Sequence, residues 1–127
     1  MFRVKRVYEP AGKEDGWRVL VDRLWPRGLA KEKARVDEWV KEIAPSEALR
    51  KMFHHEALAW PAFEKRYRAE LAKKSKELSA LKKMEKEHGT VTLLFGAKDE
   101  KRNQAVVLAE ILKEARSRAK SGSTGKR

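Results

Sequence analysis

The stretch Arg18–Gly28 places Asp22, Arg23, Trp25 and Arg27 directly behind the apolar run Val19-Leu20-Val21. A carboxylate beside guanidinium groups can exchange a proton, or it can orient the cations toward a planar anion; arginine forks suit carboxylate and phosphate. A second apolar run, Val91 to Phe95, is followed in the same way by Lys98, Asp99 and Asn103. Lys31 and Arg50 add positive charge between the two runs. His54 adds a side chain of the type that titrates near neutrality. Asp22, His54 and Asp99 are therefore the candidate acid/base groups. Arg23, Arg27, Lys31, Arg50 and Lys98 are the candidate anion-binding groups.

Each of these residues has a plainer reading beside the chemical one. Asp22 can pair with Arg23, Arg27 or Lys98 merely to lock loops. Trp25 can stack on a base, as in single-strand binders, or pack under its own loop with Pro26 fixing the turn. His54, His55 and Glu56 are adjacent, so they do not share a helix face and lack the i,i+4 spacing of a zinc-binding helix. No metal site is expected, and no cofactor. Gly28 and Gly96 stand alone, which leaves neither a dinucleotide fingerprint nor a phosphate loop. Ser46 reads as a helix cap, with no nucleophile elbow around it.

The elements that must position these residues follow from apolar spacing. Phe2 and Val4 alternate with Arg3 and Lys5, a strand with one buried and one basic face. Trp17–Asp22 and Val91–Phe95 are near-continuous apolar runs, read as strands buried on both faces. Val36, Trp39, Val40 and Ile43 fall at i, i+3, i+4 and i+7, which predicts a helix from Lys31 to Ala44-Pro45. Ser46 then caps a short helix, Pro61 opens another with Phe63, Tyr67 and Leu71 on one face, and Leu78 and Leu81 mark a further one stopped by Gly89. A last helix runs from Asn103 to about Ala115. These elements predict an α/β fold: a small, mainly parallel, Rossmann-like sheet in a three-layer domain. If the two buried strands are parallel neighbours, their carboxyl ends share the edge where open α/β sheets bind ligands.

At 127 residues the chain is expected to be a single domain over residues 1–115 with a basic flexible tail over 116–127. The net charge is +12, and the tail carries five Lys/Arg and no acid, so the body retains +7. That balance favours nucleic acid or a phosphorylated small molecule as partner. The bland alternative is a heavily ion-paired surface, with charged residues at 39% of the chain. Cysteine is absent, which excludes disulfides, thiolate metal sites and thiol nucleophiles. No apolar stretch has signal-peptide or membrane-spanning length, so a cytoplasmic protein with no membrane partner is expected.

Several segments together resemble the YeaO-like family, within the DUF488 class of domains of unknown function. They are Val7-Tyr-Glu-Pro10, Gly16-Trp-Arg-Val-Leu-Val-Asp-Arg-Leu-Trp-Pro-Arg-Gly28, Trp39-Val-Lys-Glu-Ile-Ala-Pro-Ser46 and Thr92-Leu-Leu-Phe-Gly-Ala-Lys-Asp99. The resemblance covers most of residues 4–112 and implies a small cytoplasmic α/β protein with the motif residues on one side. It brings candidate positions without roles: Asp22, Arg23, Trp25, Arg27, Lys31, Arg50, His54, Lys98, Asp99 and Asn103. Two departures from the family pattern stand out. His55-Glu56 replaces a usual His-Asp-Pro, and Gln104 stands where many members have histidine. The leading functional expectation is anion recognition, of nucleotide or nucleic-acid phosphate, at the strand-end cluster. The alternatives are a hydrolase or transferase for a phosphorylated small molecule, and a non-catalytic interaction domain whose polar cluster is structural.

Overall fold

In a computed structural model of the chain, residues 1–55 and 58–125 are described, with side chains described as far as Glu114. Four strands, β1 (Phe2–Arg6), β2 (Trp17–Leu20), β3 (Glu38–Trp39) and β4 (Val91–Phe95), form one sheet in the order β1-β4-β2-β3. Every pairing is parallel. The helices are α1 (Lys31–Ala34), α2 (Glu47–His54), α3 (Trp60–Leu71), α4 (Ser75–His88) and α5 (Gln104–Gly125).

The pleat sorts the strand residues onto two faces. Val4, Leu93 and Val19 are in register across β1, β4 and β2. With Phe2, Val21, Val91 and Phe95 they make the larger core, against Leu49, Phe63, Tyr67, Leu71, Leu81, Val107, Leu108 and Leu112 of α2 to α5. The row Lys5–Leu94–Leu20–Trp39 faces the other way. There Leu20, Leu94, Val7 and Ala34 form a smaller core with Trp25, Leu29, Val36 and Trp39. All the long helices thus share one face. The expected third layer is reduced to α1 and the loop that leads into it.

That second face also holds an ion cluster. Asp15 and Arg18 are 1% and 4% exposed; the Arg18 guanidinium donates to Asp15, to Ala34 O at 2.8 Å and to Arg35 O at 3.0 Å. Lys5 completes the set on Asp15 at 3.1 Å. Burial acts to raise the Asp15 pKa, but hydrogen bonds from Gly12 N–H, Lys5 and Arg18 outweigh it and hold the carboxyl below its ordinary value.

One expected helix is absent. Between Lys31 and Ala44 the chain makes the single turn α1, the edge strand β3 and a 3-10 turn at Lys41–Ile43. Val36 and Trp39 pack in the smaller core, whereas Val40 and Ile43 pack in the larger one. The apparent helical stripe is therefore a segment that crosses the sheet edge and feeds both faces. Elsewhere the local signals hold: Ser46 Oγ accepts from Leu49 N–H at 3.2 Å, Pro61 lies in the first turn of α3, and Gly89 ends α4 at φ 82°. The last helix extends beyond its expected end near Ala115, and the side chains of the expected tail, 116–127, lie outside those described. No helix among the described residues is long and apolar enough to cross a membrane.

Candidate functional site

Adjacent parallel β2 and β4 bring their carboxyl ends together, and Asp22 sits at that junction. Its Oδ2 accepts from Gly96 N–H at 2.8 Å, and its Oδ1 accepts from Gln104 Nε2 at the start of α5. Trp39 Nε1 donates to the Asp22 backbone oxygen at 2.7 Å, fixing the loop from the β3 side. A Cβ at position 96 would lie 3.0 Å from Asp22 Oδ2, so the glycine permits the close approach. Burial pushes the Asp22 carboxyl up to about 6, against the opposing effect of its two N–H donors.

Asp22 opens into a cavity of about 340 Å³, lined also by Arg23, Arg50, Phe53, His54, Phe63, Arg102, Asn103 and Gln104. Its walls are placed by the segment Ile43–Ser46. Tyr67 Oη donates to Ile43 O at 2.6 Å, and Arg23 donates to Pro45 O at 3.1 Å and Ala44 O at 3.3 Å. Glu70 accepts from Ser46 N–H at 2.8 Å and from Ser46 Oγ at 2.6 Å. These bonds set the start of α2, and α2 carries Arg50, Phe53 and His54 to the cavity. Across the opening, Asn103 is 2% exposed and caps α5: its Oδ1 accepts from Val106 N–H at 3.1 Å and its Nδ2 donates to Asp99 O.

The candidate residues are thereby divided. Asp22, Arg23, Arg50, His54 and Asn103 line the cavity. Lys98 and Asp99 line an adjoining one of about 510 Å³. Asp99 Oδ1 accepts from Lys101 and Arg102 N–H at 2.9 and 3.0 Å, which holds its carboxyl below the ordinary value. Arg27 and Lys31 are exposed and line neither cavity. Trp25 lies half-buried on the opposite face of the sheet, its Nε1 donating to Leu29 O at 2.7 Å and its ring edge-on to Trp39; packing is the role it plays here. His54 shares the cavity with Asp22 without a hydrogen bond between them among the described residues. Glu56 lies outside the described residues.

Sequence reasoning passed over Arg102 and the aromatic wall. Arg102 lies in the charge run Lys98–Arg102, where nothing distinguishes it from a solvated neighbour. Phe53 and Phe63, with ring centroids 4.4 Å apart, read as ordinary core on their helices. Gln104 stands out in the sequence only by contrast with the histidine that many family members carry there. Arg50 carries a further signal: its Nε is buried and has no hydrogen-bond partner among the described residues. Buried donors are rarely left unpaired, so Arg50 is the lining residue whose hydrogen bonding stands out.

Sequence relatives show the family. A family model described as "Inactive DUF488-N3 subclade" matches residues 1–126. The chain is 49% identical over 109 residues to "Uncharacterized protein YeaO" of Escherichia coli, covering 86% of this chain and 94% of that protein. It is 42% identical over 110 residues to "Uncharacterized protein Rv3073c" of Mycobacterium tuberculosis, covering 87% and 92% respectively. No solved structure gives a significant match. With the sheet, the strand-end motif and these matches together, the chain belongs to the YeaO-like DUF488 family, in the DUF488-N3 subclade described as inactive.

Proposed function

We propose that this domain recognises a small phosphorylated, ring-bearing molecule of the nucleotide class in the Asp22 cavity, and does so without turning it over. The observation that carries the reading is Arg50. Its side chain lines a cavity that also holds Asp22, Phe53, Phe63 and Arg102, and its buried Nε has no hydrogen-bond partner among the described residues. A phosphate held by the Arg50 and Arg102 guanidinium groups would neutralise the cations, and a modest shift of the Arg50 fork would bring Nε into the bond. The Phe53 and Phe63 walls offer apolar contact to a ring, and Asp22 offers an acceptor for ring N–H groups. The volume, about 340 Å³, lies in the range of small-ligand pockets. The absence of turnover rests on the subclade description and on Asp22, whose two oxygens are each held by an N–H donor.

The test is calorimetric titration of the full chain with nucleoside monophosphates, the parent nucleosides and inorganic phosphate. Monophosphates should bind best, and Arg50→Ala should weaken them tenfold or more. Arg27→Ala, outside the cavity, should leave them unchanged. Equal affinity in wild type and Arg50→Ala, or no binding by any of these compounds, would overturn the reading. Release of base or phosphate during incubation would instead favour a hydrolase with Asp22 as acid/base.

A further inference from the structure

We propose that the Asp22 cavity is one half of a trough that takes single-stranded nucleic acid, with the next nucleotide seated between Trp60 and Lys98. This rests on the reading of the Asp22 cavity as a nucleotide site. The second cavity, about 510 Å³, is lined by Phe53, His54, Leu58, Trp60, Lys98 and Arg102 among others. Phe53, His54, Ala97 and Arg102 line both cavities, so the two adjoin along a common wall.

That wall is aromatic. Trp60 stacks on Phe63 at 5.5 Å between centroids and 23° between planes, and Phe53 lies 5.8 Å from Trp60. Trp60 and Phe53 are each only partly buried, and both line the second cavity. A π-face of this kind accepts any base. Cations follow the same path: Arg50 in the first cavity, Arg102 in both, Lys98 in the second. The side chains of Lys98 and Arg102 are exposed and make no hydrogen bond among the described residues. Asp99 is the acid on the second cavity, and its carboxylate is engaged by the Lys101 and Arg102 backbone N–H groups. Cations at successive positions beside ring faces suit a phosphodiester chain better than a single anion. The net charge of +12 draws such a chain to the protein.

The experiment compares thymidine monophosphate with thymidylate di-, tetra- and octanucleotides on the full chain, by fluorescence competition across a salt series. The dinucleotide should bind about tenfold more tightly than the monophosphate, with a steeper salt dependence. Beyond the tetranucleotide the gain should be small. Lys98→Ala, an exposed substitution, should remove most of the dinucleotide gain and leave monophosphate affinity unchanged; Trp60→Leu should act in the same direction. Equal affinity for mono- and dinucleotide would overturn the trough while leaving the single-nucleotide reading intact. Failure of the monophosphate to bind, together with oligonucleotide binding indifferent to both Arg50→Ala and Lys98→Ala, would overturn both readings in favour of nonspecific attraction. A phosphopeptide that competes as well as the dinucleotide would overturn the assignment to nucleic acid.

Discussion

Replacing Asp22 with asparagine should change how stability depends on pH more than how large it is. The native carboxyl titrates near 6, against an ordinary value of 3.8. Between those values the folded protein holds a proton that the unfolded chain has released. Protonation therefore favours the native state as pH falls through 6, and the gain is complete below 3.8. A shift of that size corresponds to about 3 kcal/mol in full, of which about 1.4 kcal/mol develops between pH 8 and pH 5. Asparagine can still accept from Gly96 N–H, and the Gln104 amide can turn to accept from the new Nδ2. Asp22→Asn should therefore fold, be at least as stable as wild type at pH 8, and lack the rise on acidification. Asp15 and Asp99, whose pKa values are lowered, lose their contributions only below the ordinary carboxylate range. The assay is urea denaturation of both proteins at half-unit intervals from pH 5 to 8, read as the difference between the two curves. Parallel curves would refute the assignment of a buried, proton-holding carboxyl to Asp22.

Other substitutions test the frame around the site. Arg18→Ala leaves buried Asp15 with Lys5 as its one remaining cation among the described residues, strips the Ala34 and Arg35 carbonyls of their donor, and should cost about 3 kcal/mol by chemical denaturation; Lys51→Ala breaks an exposed pair with Glu47 and should shift stability by less than about 0.5 kcal/mol. Gly16 has φ 63° and ψ −132°, and a Cβ there would meet Thr90 O at 2.3 Å, so Gly16→Ala should lower stability by at least about 1–3 kcal/mol. Ser46→Ala removes the α2 cap and a hydrogen bond to Glu70, and should cost about 1 kcal/mol, read from the denaturation midpoint.

The parts of the fold legible in the sequence were those whose residues all serve one surface. Val19–Val21 and Val91–Phe95 are buried on both sides, and so appear as unbroken apolar runs. The segment from Val36 to Ile43 misled because its apolar residues serve two cores in turn, and a linear spacing cannot tell one helix face from two sheet faces. The same limit governs the site. Asp22 was legible because a carboxylate directly after a buried strand has few places to go. Arg27 lies in the same loop and Lys31 opens α1 behind it, but Trp25 and Leu29 pack that segment into the smaller core, away from the cavity. Arg102 reaches the cavity only because Asp99 and Asn103 shape the turn before α5, a geometry that no count of charges reveals.

The sheet order carries a consequence for how the protein is made. Both β1 and β2 bond to β4 and not to each other, and β4 is the last of the strands to be synthesised. Until Phe95 has left the ribosome, β1 has no strand to pair with and β2 has only the two-residue β3 on one side, so the apolar faces of both wait uncovered. Such long-range parallel pairing is slow to form and exposed to aggregation while it is pending. Nascent chains halted before residue 91 should therefore depend on chaperones, and those halted after α5 has emerged should not.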